Sequence, residues 1–345
     1  MISPRNALFI QLRRIGDVLM CTPAIRAFKK QFPNCSLDFL TEYPEVLEGN
    51  PYIDSLIPVD PSRQLSPPYQ FHLIRSLRKN RYDMVIDFFA NPRSAYYSFL
   101  TGAETRLSYG FGHRRWAYNL TPSKPENPVY AAGDRLHLLS ALEVHSDDFR
   151  LEFYPGDRDR EEARKLLSPL SHKPILTVSP VSRRNFNRWP LENYARLIEM
   201  IVEEFDFVPL VLTGPGEGDV ADRLAALISG GESMSLNINS LGLLGAIFEL
   251  AKFHIGNDNG PKHIAVACGS PTFTIYGPHS HISWTYPDFG RHGFITPGQV
   301  DPECRVADHK CGPDCIKKIT ADAAFDRFRE LVSHLPVKIS TPESQ

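Results

Sequence analysis

The sequence predicts an α/β protein made of two doubly wound, parallel-sheet halves of Rossmann-like type, and three observations carry that expectation. Short apolar runs of strand length alternate with longer stretches whose apolar residues recur at helical spacing, as in parallel sheets covered on both faces. The alternation is interrupted by a proline-rich stretch and restarts after Tyr154-Pro155-Gly156. Several strand-like runs are followed by glycine-bearing turns, which places flexible backbone at the carboxyl ends of strands, where open α/β sheets bind their ligands.

Taken in order, Ala7 to Leu12 reads as a buried first strand that runs into Arg13-Arg14-Ile15-Gly16-Asp17-Val18. From Asp17, the residues Val18, Leu19, Pro23, Ile25 and Phe28 are spaced as on one helix ending near Pro33. Ser36 to Leu40 and Ile53 to Val59 add strands, Phe71 to Lys79 an amphipathic helix, and Met84 to Phe88 a further buried strand. A helix over Arg135 to Val144 lies inside the proline-rich stretch. The second half repeats the scheme with strands at Ile175 to Ser179, Val208 to Leu212, Ser235 to Asn237, Phe253 to Ile255 and Thr272 to Ile275. Helices are expected at Leu191 to Glu204, Gly218 to Leu227, Leu241 to Ala251 and from about Lys262. Tyr286 to Ile319 reads as loop. The expected domains are 1–155 and 156–320, with a last helix over 321–335.

At 345 residues the chain exceeds one ordinary core and fits two. Its formal net charge of −2 argues against a nucleic-acid protein, which shows a basic excess. No apolar run reaches the roughly 18 residues of a membrane span, and Ala7 to Leu12 is too short for a signal-peptide core, so the expected location is the cytoplasm. Six cysteines are too few for a disulfide scaffold. Cys304, Cys311 and Cys315, with His309 between, lack the usual zinc spacing.

Chemistry concentrates at strand ends. Gly16 and Asp17 lack the G-x-G-x-x-G of dinucleotide enzymes. Asp17 is either the cap of the helix from Val18 or a carboxylate free to act as a general base. Arg13 and Arg14 offer an anion contact or a solvated pair. Ser179 to Pro190 holds Arg183, Arg184 and Arg188, which complement a diphosphate better than they suit a solvated loop beside Trp189. Thr213-Gly214-Pro215-Gly216-Glu217 lets backbone approach a ligand, and Glu217 can accept hydrogen bonds from a ribose or base. Gly256 to Ala267 sets Asp258, Asn259, Gly260 and His263 at a turn into a helix. Tyr276-Gly277-Pro278-His279 follows the next strand. Together these loops form a coherent nucleotide-diphosphate site. Asp157-Arg158-Asp159 is formally a metal-binding D-x-D, but it opens a helix, whose end electrostatics explain it better.

At these residues the chain resembles glycosyltransferase family 9, the ADP-heptose:lipopolysaccharide heptosyltransferases. The resemblance runs through Arg13-Arg14-Ile15-Gly16-Asp17-Val18 with Thr22-Pro23, Tyr82 to Asp87, Arg188-Trp189-Pro190, Asp258 to His263 and Tyr276-Gly277-Pro278. It implies a GT-B architecture with an amino-terminal acceptor domain, a carboxy-terminal nucleotide-sugar domain and a final helix crossing back to the first. It also implies Asp17 as base, with Asp258, Gly260 and Glu217 contacting the donor. Two departures stand out. Asn187 occupies the place of a usual Lys, so Arg183, Arg184 or Arg188 must supply that charge, and His279 replaces a frequent Thr.

The expected reaction is inverting heptose transfer from ADP-heptose to the inner core of lipopolysaccharide, without an obligatory metal or other cofactor. Ser179, Thr213, Gly214, Asn259 and Gly277 complete the expected donor contacts. Arg13, Arg14, Arg75, Arg78, Lys79 and Arg93 are the expected acceptor contacts, meeting phosphorylated lipid A and core sugars at the inner face of the cytoplasmic membrane. The rival readings are a transferase or epimerase using another nucleotide sugar, and a non-catalytic nucleotide-sugar-binding protein.

Overall fold

The computed structural model describes residues 4–229, 233–278, 281–304 and 314–335. Two compact units divide between Tyr154 and Pro155, at the proline-glycine junction.

The first unit contains β1 (Asn6–Ile10), α1 (Ile15–Leu19), α2 (Thr22–Gln31), β2 (Ser36–Thr41), β3 (Ser55–Pro58), α3 (Pro67–Lys79), β4 (Met84–Asp87), α4 (Pro92–Leu100), β5 (Thr105–Leu107) and α5 (Ala131–Leu139). Its sheet has the order β3-β2-β1-β4-β5, and every pairing is parallel. Leu8 and Ile10 point into one apolar layer with Leu40, Val85 and Leu77. Phe9, between them, packs edge-on against Phe28 and Phe88 on the other face. Burial on both faces explains why this strand reads as a continuous apolar run.

The single helix expected after β1 is two. Pro23 has no N–H to give the carbonyl of Leu19, and the Thr22 hydroxyl donates to that oxygen instead, at 2.9 Å. Pro23 then sits in the first turn of α2, where a missing donor costs nothing. The α4 helix and β5 were not legible beforehand. Asn91 opens α4 with a reciprocal cap to Ser94, and β5 is only an edge strand of three residues. The helix expected over Arg135 to Val144 begins earlier, at Ala131, and ends at Leu139.

The second unit contains α6 (Asp157–Leu167), β6 (Ile175–Ser179), α7 (Leu191–Phe205), β7 (Val208–Thr213), α8 (Gly218–Leu227), β8 (Met234–Asn237), α9 (Leu241–Leu250), β9 (Phe253–Asn257), α10 (Gly260–Ala267), β10 (Thr272–Ile275), β11 (His292–Ile295), α11 (Pro297–Val300) and α12 (Ala321–His334). Its strand order is β11-β10-β9-β6-β7-β8, again all parallel. The stretch expected to be loop after Tyr286 thus holds the edge strand β11. Gly293 makes room there for Leu331 of α12, because a Cβ on it would lie 2.7 Å from Leu331 Cδ2. Ala324, Phe325, Phe328, Leu331 and Val332 of α12 are buried in the second unit's core with Phe205, Phe253 and Phe273.

Each sheet winds outward in both directions from its first strand, β1 or β6. The chain therefore reverses between β1 and β4 and between β6 and β9, and at such switch points doubly wound sheets open a crevice at the carboxyl ends of their strands.

Candidate active site

In the second unit, the loops after β6 and β9 meet at the switch point. Asn259 caps α10: its Oδ1 accepts from Lys262 N at 3.0 Å, and its Nδ2 donates to the carbonyl of Val181 at 2.9 Å, tying the two loops together. Asp258 is consequently not the cap. Its Oδ1 takes Lys262 Nζ at 2.6 Å, and Lys262 Nζ also reaches Trp284 O at 2.8 Å and Tyr276 Oη at 3.2 Å. The lysine side chain is 2% exposed and the aspartate 13%, so the aspartate is the member of the pair with access to a ligand. Burial pulls the Lys262 ammonium below its ordinary pKa, and the Asp258 charge opposes that shift. His263 Nε2 lies 3.6 Å from Asp258 Oδ1. Burial first, and the Lys262 charge second, hold the His263 imidazole neutral, with its pKa lowered to about 3.

The start of α10 is poorer in donors than its sequence suggests. Pro261 has no N–H, and the N–H of Lys262 is taken by Asn259, so two of the first three positions offer an anion nothing. Positive charge has to come from the loop after β6. Arg183, Arg184 and Arg188 are all exposed there. Arg188 is fixed through its Nε to Ser182 O at 2.6 Å, and Arg184 lies over the Phe186 ring, 5.5 Å from its centroid. Trp189, whose company made this loop look unlike a solvated one, is buried in the core, donating to Ile319 O at 2.8 Å. Its role is to anchor the loop.

The remaining residues expected to contact the donor also lie at this sheet's carboxyl edge. Ser179 ends β6 and Thr213 ends β7; both are buried, and among the described residues neither Ser179 Oγ nor Thr213 Oγ1 has a hydrogen-bond partner. Glu217 folds back to accept from Gly214 N at 3.1 Å, and Asn237 Nδ2 donates to Gly214 O at 2.8 Å, which fixes the glycine loop. Gly277 follows β10, and a Cβ on it would lie 2.4 Å from Asn187 Oδ1 and 2.7 Å from Phe186 O, so only glycine allows the arginine loop this close. Gly260 is the first residue of α10. His279 lies outside the described residues.

In the first unit, Asp17 occupies the first turn of α1 but does not cap it; the cap position is Arg14, whose side chain makes no capping bond. The Asp17 carboxylate instead receives Arg135 Nη2 from α5 at 3.1 Å. Arg135 also pairs with Asp134 at 3.6 Å and donates to Ala131 O at 3.2 Å. Beneath them the buried Cys21 thiol is pushed up to about 12 by desolvation, so it stays a neutral thiol. Nothing in local sequence marks Arg135 as Asp17's partner, because they are 118 residues apart.

Arg13 and Arg93, expected separately, come together on Glu42. Arg13 Nε donates to Glu42 Oε2 at 3.1 Å and Arg93 to Glu42 Oε1, while both guanidinium groups also reach Gln64 Oε1. Glu42 is 4% exposed and Arg13 44%, so a sunken acid holds two arginines at the edge where Asp17 lies. Glu42 is not among the residues the sequence singles out, although an acid directly after a strand end is a usable signal. Arg75, Arg78 and Lys79 do not join this group. They are exposed on α3, and Arg78 and Lys79 occupy its last turn, which leads back to the amino end of β4. That is the opposite edge of the sheet, and the helix dipole accounts for cations there.

The expected architectural motif Tyr82 to Asp87 holds backbone in place. Asp83 accepts from Arg5 N at 2.8 Å, and Asp87 accepts from Ala90 N at 2.9 Å and Tyr118 Oη at 2.6 Å. Asp159 accepts from Gly156 N at 3.1 Å in the first turn of α6, in keeping with the helix-end reading of Asp157-Arg158-Asp159. His309 and Cys311 lie outside the described residues, and among the described residues no group of three His, Cys, Asp or Glu side chains is placed to hold a metal ion. Among them, too, no helix is long and apolar enough to cross a membrane.

Residues 70–292 match the model of glycosyltransferase family 9 (heptosyltransferase). The chain is 25% identical to lipopolysaccharide heptosyltransferase 3 of Escherichia coli over 79% of its own length and 84% of that protein's. It is 22% identical to lipopolysaccharide heptosyltransferase 2 of E. coli strain K12 over 94% of its own length and 93% of the other. Among solved structures, a family 9 glycosyl transferase from Veillonella parvula superposes with a TM-score of 0.84 at 20% identity, covering 96% of this chain and 98% of that one. The E. coli heptosyltransferase WaaC with ADP superposes with a TM-score of 0.74 at 18% identity, covering 94% and 99%. The shared fold is of GT-B type.

Proposed function

Since the chain belongs to glycosyltransferase family 9, we propose that it transfers a heptose from ADP-heptose to the inner core of lipopolysaccharide with inversion at the anomeric carbon. The observation that carries the donor half is the pair of buried hydroxyls, Ser179 Oγ and Thr213 Oγ1, without partners among the described residues at neighbouring strand ends. Buried polar atoms are ordinarily satisfied, and a nucleotide sugar would satisfy these. The names of the relatives, and the solved E. coli heptosyltransferase with ADP-2-deoxy-2-fluoro heptose, support the choice of donor and acceptor.

The acceptor hydroxyl oxygen forms a bond to the anomeric carbon while the bond from that carbon to the ADP oxygen breaks. Asp17 takes the hydroxyl proton, and ADP leaves with the bonding electrons. The ion pair with Arg135, at 3.1 Å, orients the Asp17 carboxylate. Charge growing on the diphosphate is met by Arg183, Arg184 and Arg188, with no metal required. Asp258 receives sugar hydroxyls and favours the oxocarbenium-like centre. On the acceptor side, Arg13 and Arg93, held by Glu42, bind phosphate groups of the lipid-linked core, and the enzyme works at the cytoplasmic face of the inner membrane.

The test is ADP release from ADP-heptose with a truncated lipopolysaccharide acceptor, with and without chelator. Acceptor-dependent release that survives chelation is the expected result. Release from a different nucleotide sugar in preference to ADP-heptose would reassign the donor, and unaltered function in Asp17→Ala would remove the catalytic role.

A further inference from the structure

One face of the first unit is built against the rule that large aromatics are covered. Tyr96 and Phe99 of α4 are 55% and 46% exposed, and Trp116 of the following short turn is 49% exposed. The three rings pack on each other at the surface, with centroids 5.3 Å apart for Tyr96 and Trp116 and 5.1 Å for Phe99 and Trp116. Phe111, 38% exposed, opens the same turn, with Lys124 Nζ 4.6 Å above its ring.

The exposure is fixed by the fold. The residues directly after Trp116 are buried: Ala117 O accepts from Arg106 Nε at 2.8 Å, and Tyr118 Oη is bound to Asp87 at 2.6 Å. With the turn pinned from inside, the indole has nowhere to go but outward. Charge follows the same pattern. Residues 94–130 carry four Lys or Arg and two Glu, a net +2 in a chain whose total is −2.

We infer that this face, formed by Tyr96, Phe99, Phe111 and Trp116 with Arg115 and Lys124 at its rim, docks on the surface of an anionic lipid bilayer. Trp and Tyr prefer the interface between headgroups and hydrocarbon, where the ring is sheltered and its polar edge stays wet. Arg and Lys beside them are drawn to anionic headgroups by about 1 kcal/mol each. An acidic protein partner would also suit exposed Tyr, Trp and Arg; the lipid-linked acceptor of the proposed reaction favours the bilayer. The inference deepens the proposed use of a lipid-linked acceptor, yet it concerns residues outside the donor and acceptor contacts.

The experiment is flotation of the full chain with vesicles that contain no sugar acceptor, either phosphatidylcholine alone or phosphatidylcholine with phosphatidylglycerol. Wild type is expected to bind the anionic vesicles and to be released by salt. The variant Arg115→Gln/Lys124→Gln, altered only at exposed positions, should bind roughly 25-fold more weakly at about fivefold per charge, and Phe99→Ser/Trp116→Ser at least about tenfold more weakly. Unfolding temperature and ADP release with a delipidated, soluble acceptor should be unchanged in the charge variant. Failure of wild type to bind anionic vesicles, or binding by both variants as tight as wild type, would overturn the inference. Since neither donor nor acceptor is in the vesicle assay, its outcome is independent of the proposed transfer reaction.

Discussion

Lys262 Nζ lies 2.6 Å from Asp258 Oδ1, one helical turn away in α10, and the lysine is the deeply buried member of the pair. A buried ammonium is tolerated only with its countercharge, so the two residues stand or fall together. Asp258→Asn should therefore destabilise the second unit by roughly 3–5 kcal/mol in urea unfolding. Lys262→Met added to it should recover part of the loss, since the double variant no longer buries an unpaired charge. Equal stability of single and double variants would mean that the lysine finds another counterion. In kinetics, Lys262→Met should raise donor KM more than it lowers kcat, because it loosens Asp258 without removing it.

Asp17 and Arg135 make a second linked pair. Asp17→Asn should lower kcat by about 100- to 10,000-fold with little change in donor KM, as loss of a general base does. Arg135→Gln should lower kcat while leaving donor KM little changed, because the guanidinium that orients the Asp17 carboxylate is gone. Unchanged kcat in Arg135→Gln would show that Asp17 keeps its orientation without the ion pair.

Gly277 tests the geometry of the arginine loop. Alanine there brings a Cβ to within 2.4 Å of Asn187 Oδ1 and 2.7 Å of Phe186 O, the second of which is backbone and cannot rotate aside. Gly277→Ala should cost about 1–3 kcal/mol and weaken ADP binding, read by calorimetry, as Arg188 is displaced. Unchanged affinity would show that the loop yields without moving its cations.

Much of this was legible in the sequence because it is local. Strands buried on both faces read as apolar runs, and loops at strand ends read as Gly, Asp and Arg clusters; both depend on neighbours a few residues apart. Asp17 and Asp258 stand out in the sequence for that reason. Their partners differed in visibility. Lys262 stood in the quoted motif without a role because burial cannot be seen in a string, and Arg135 was invisible because only tertiary packing brings α5 to α1. Which residue caps α10 was not legible for a simpler reason: Asp258 and Asn259 are equally good caps, and spacing alone does not choose between them. Arg75, Arg78 and Lys79 were misgrouped with Arg93 because a helix carries its last turn back to the opposite edge of the sheet.

The buried histidines of the second unit set its response to acid. His254, His263 and His292 each have a pKa lowered to about 3, with burial as the largest cause, against an ordinary value of 6.5. Between those values the unfolded chain binds protons that the folded unit refuses, so stability is highest above pH 6.5 and falls as pH drops toward 3. Each histidine contributes a slope of up to about 1.4 kcal/mol per pH unit, and three together up to about 4. Urea midpoints for wild type should accordingly fall steeply from pH 6.5 to pH 5. His254→Asn, which keeps a polar group near Thr177 and removes one titrating site, should start lower at neutral pH but lose stability with a slope shallower by about one proton. An identical slope in wild type and variant would show that His254 is protonated in the folded state.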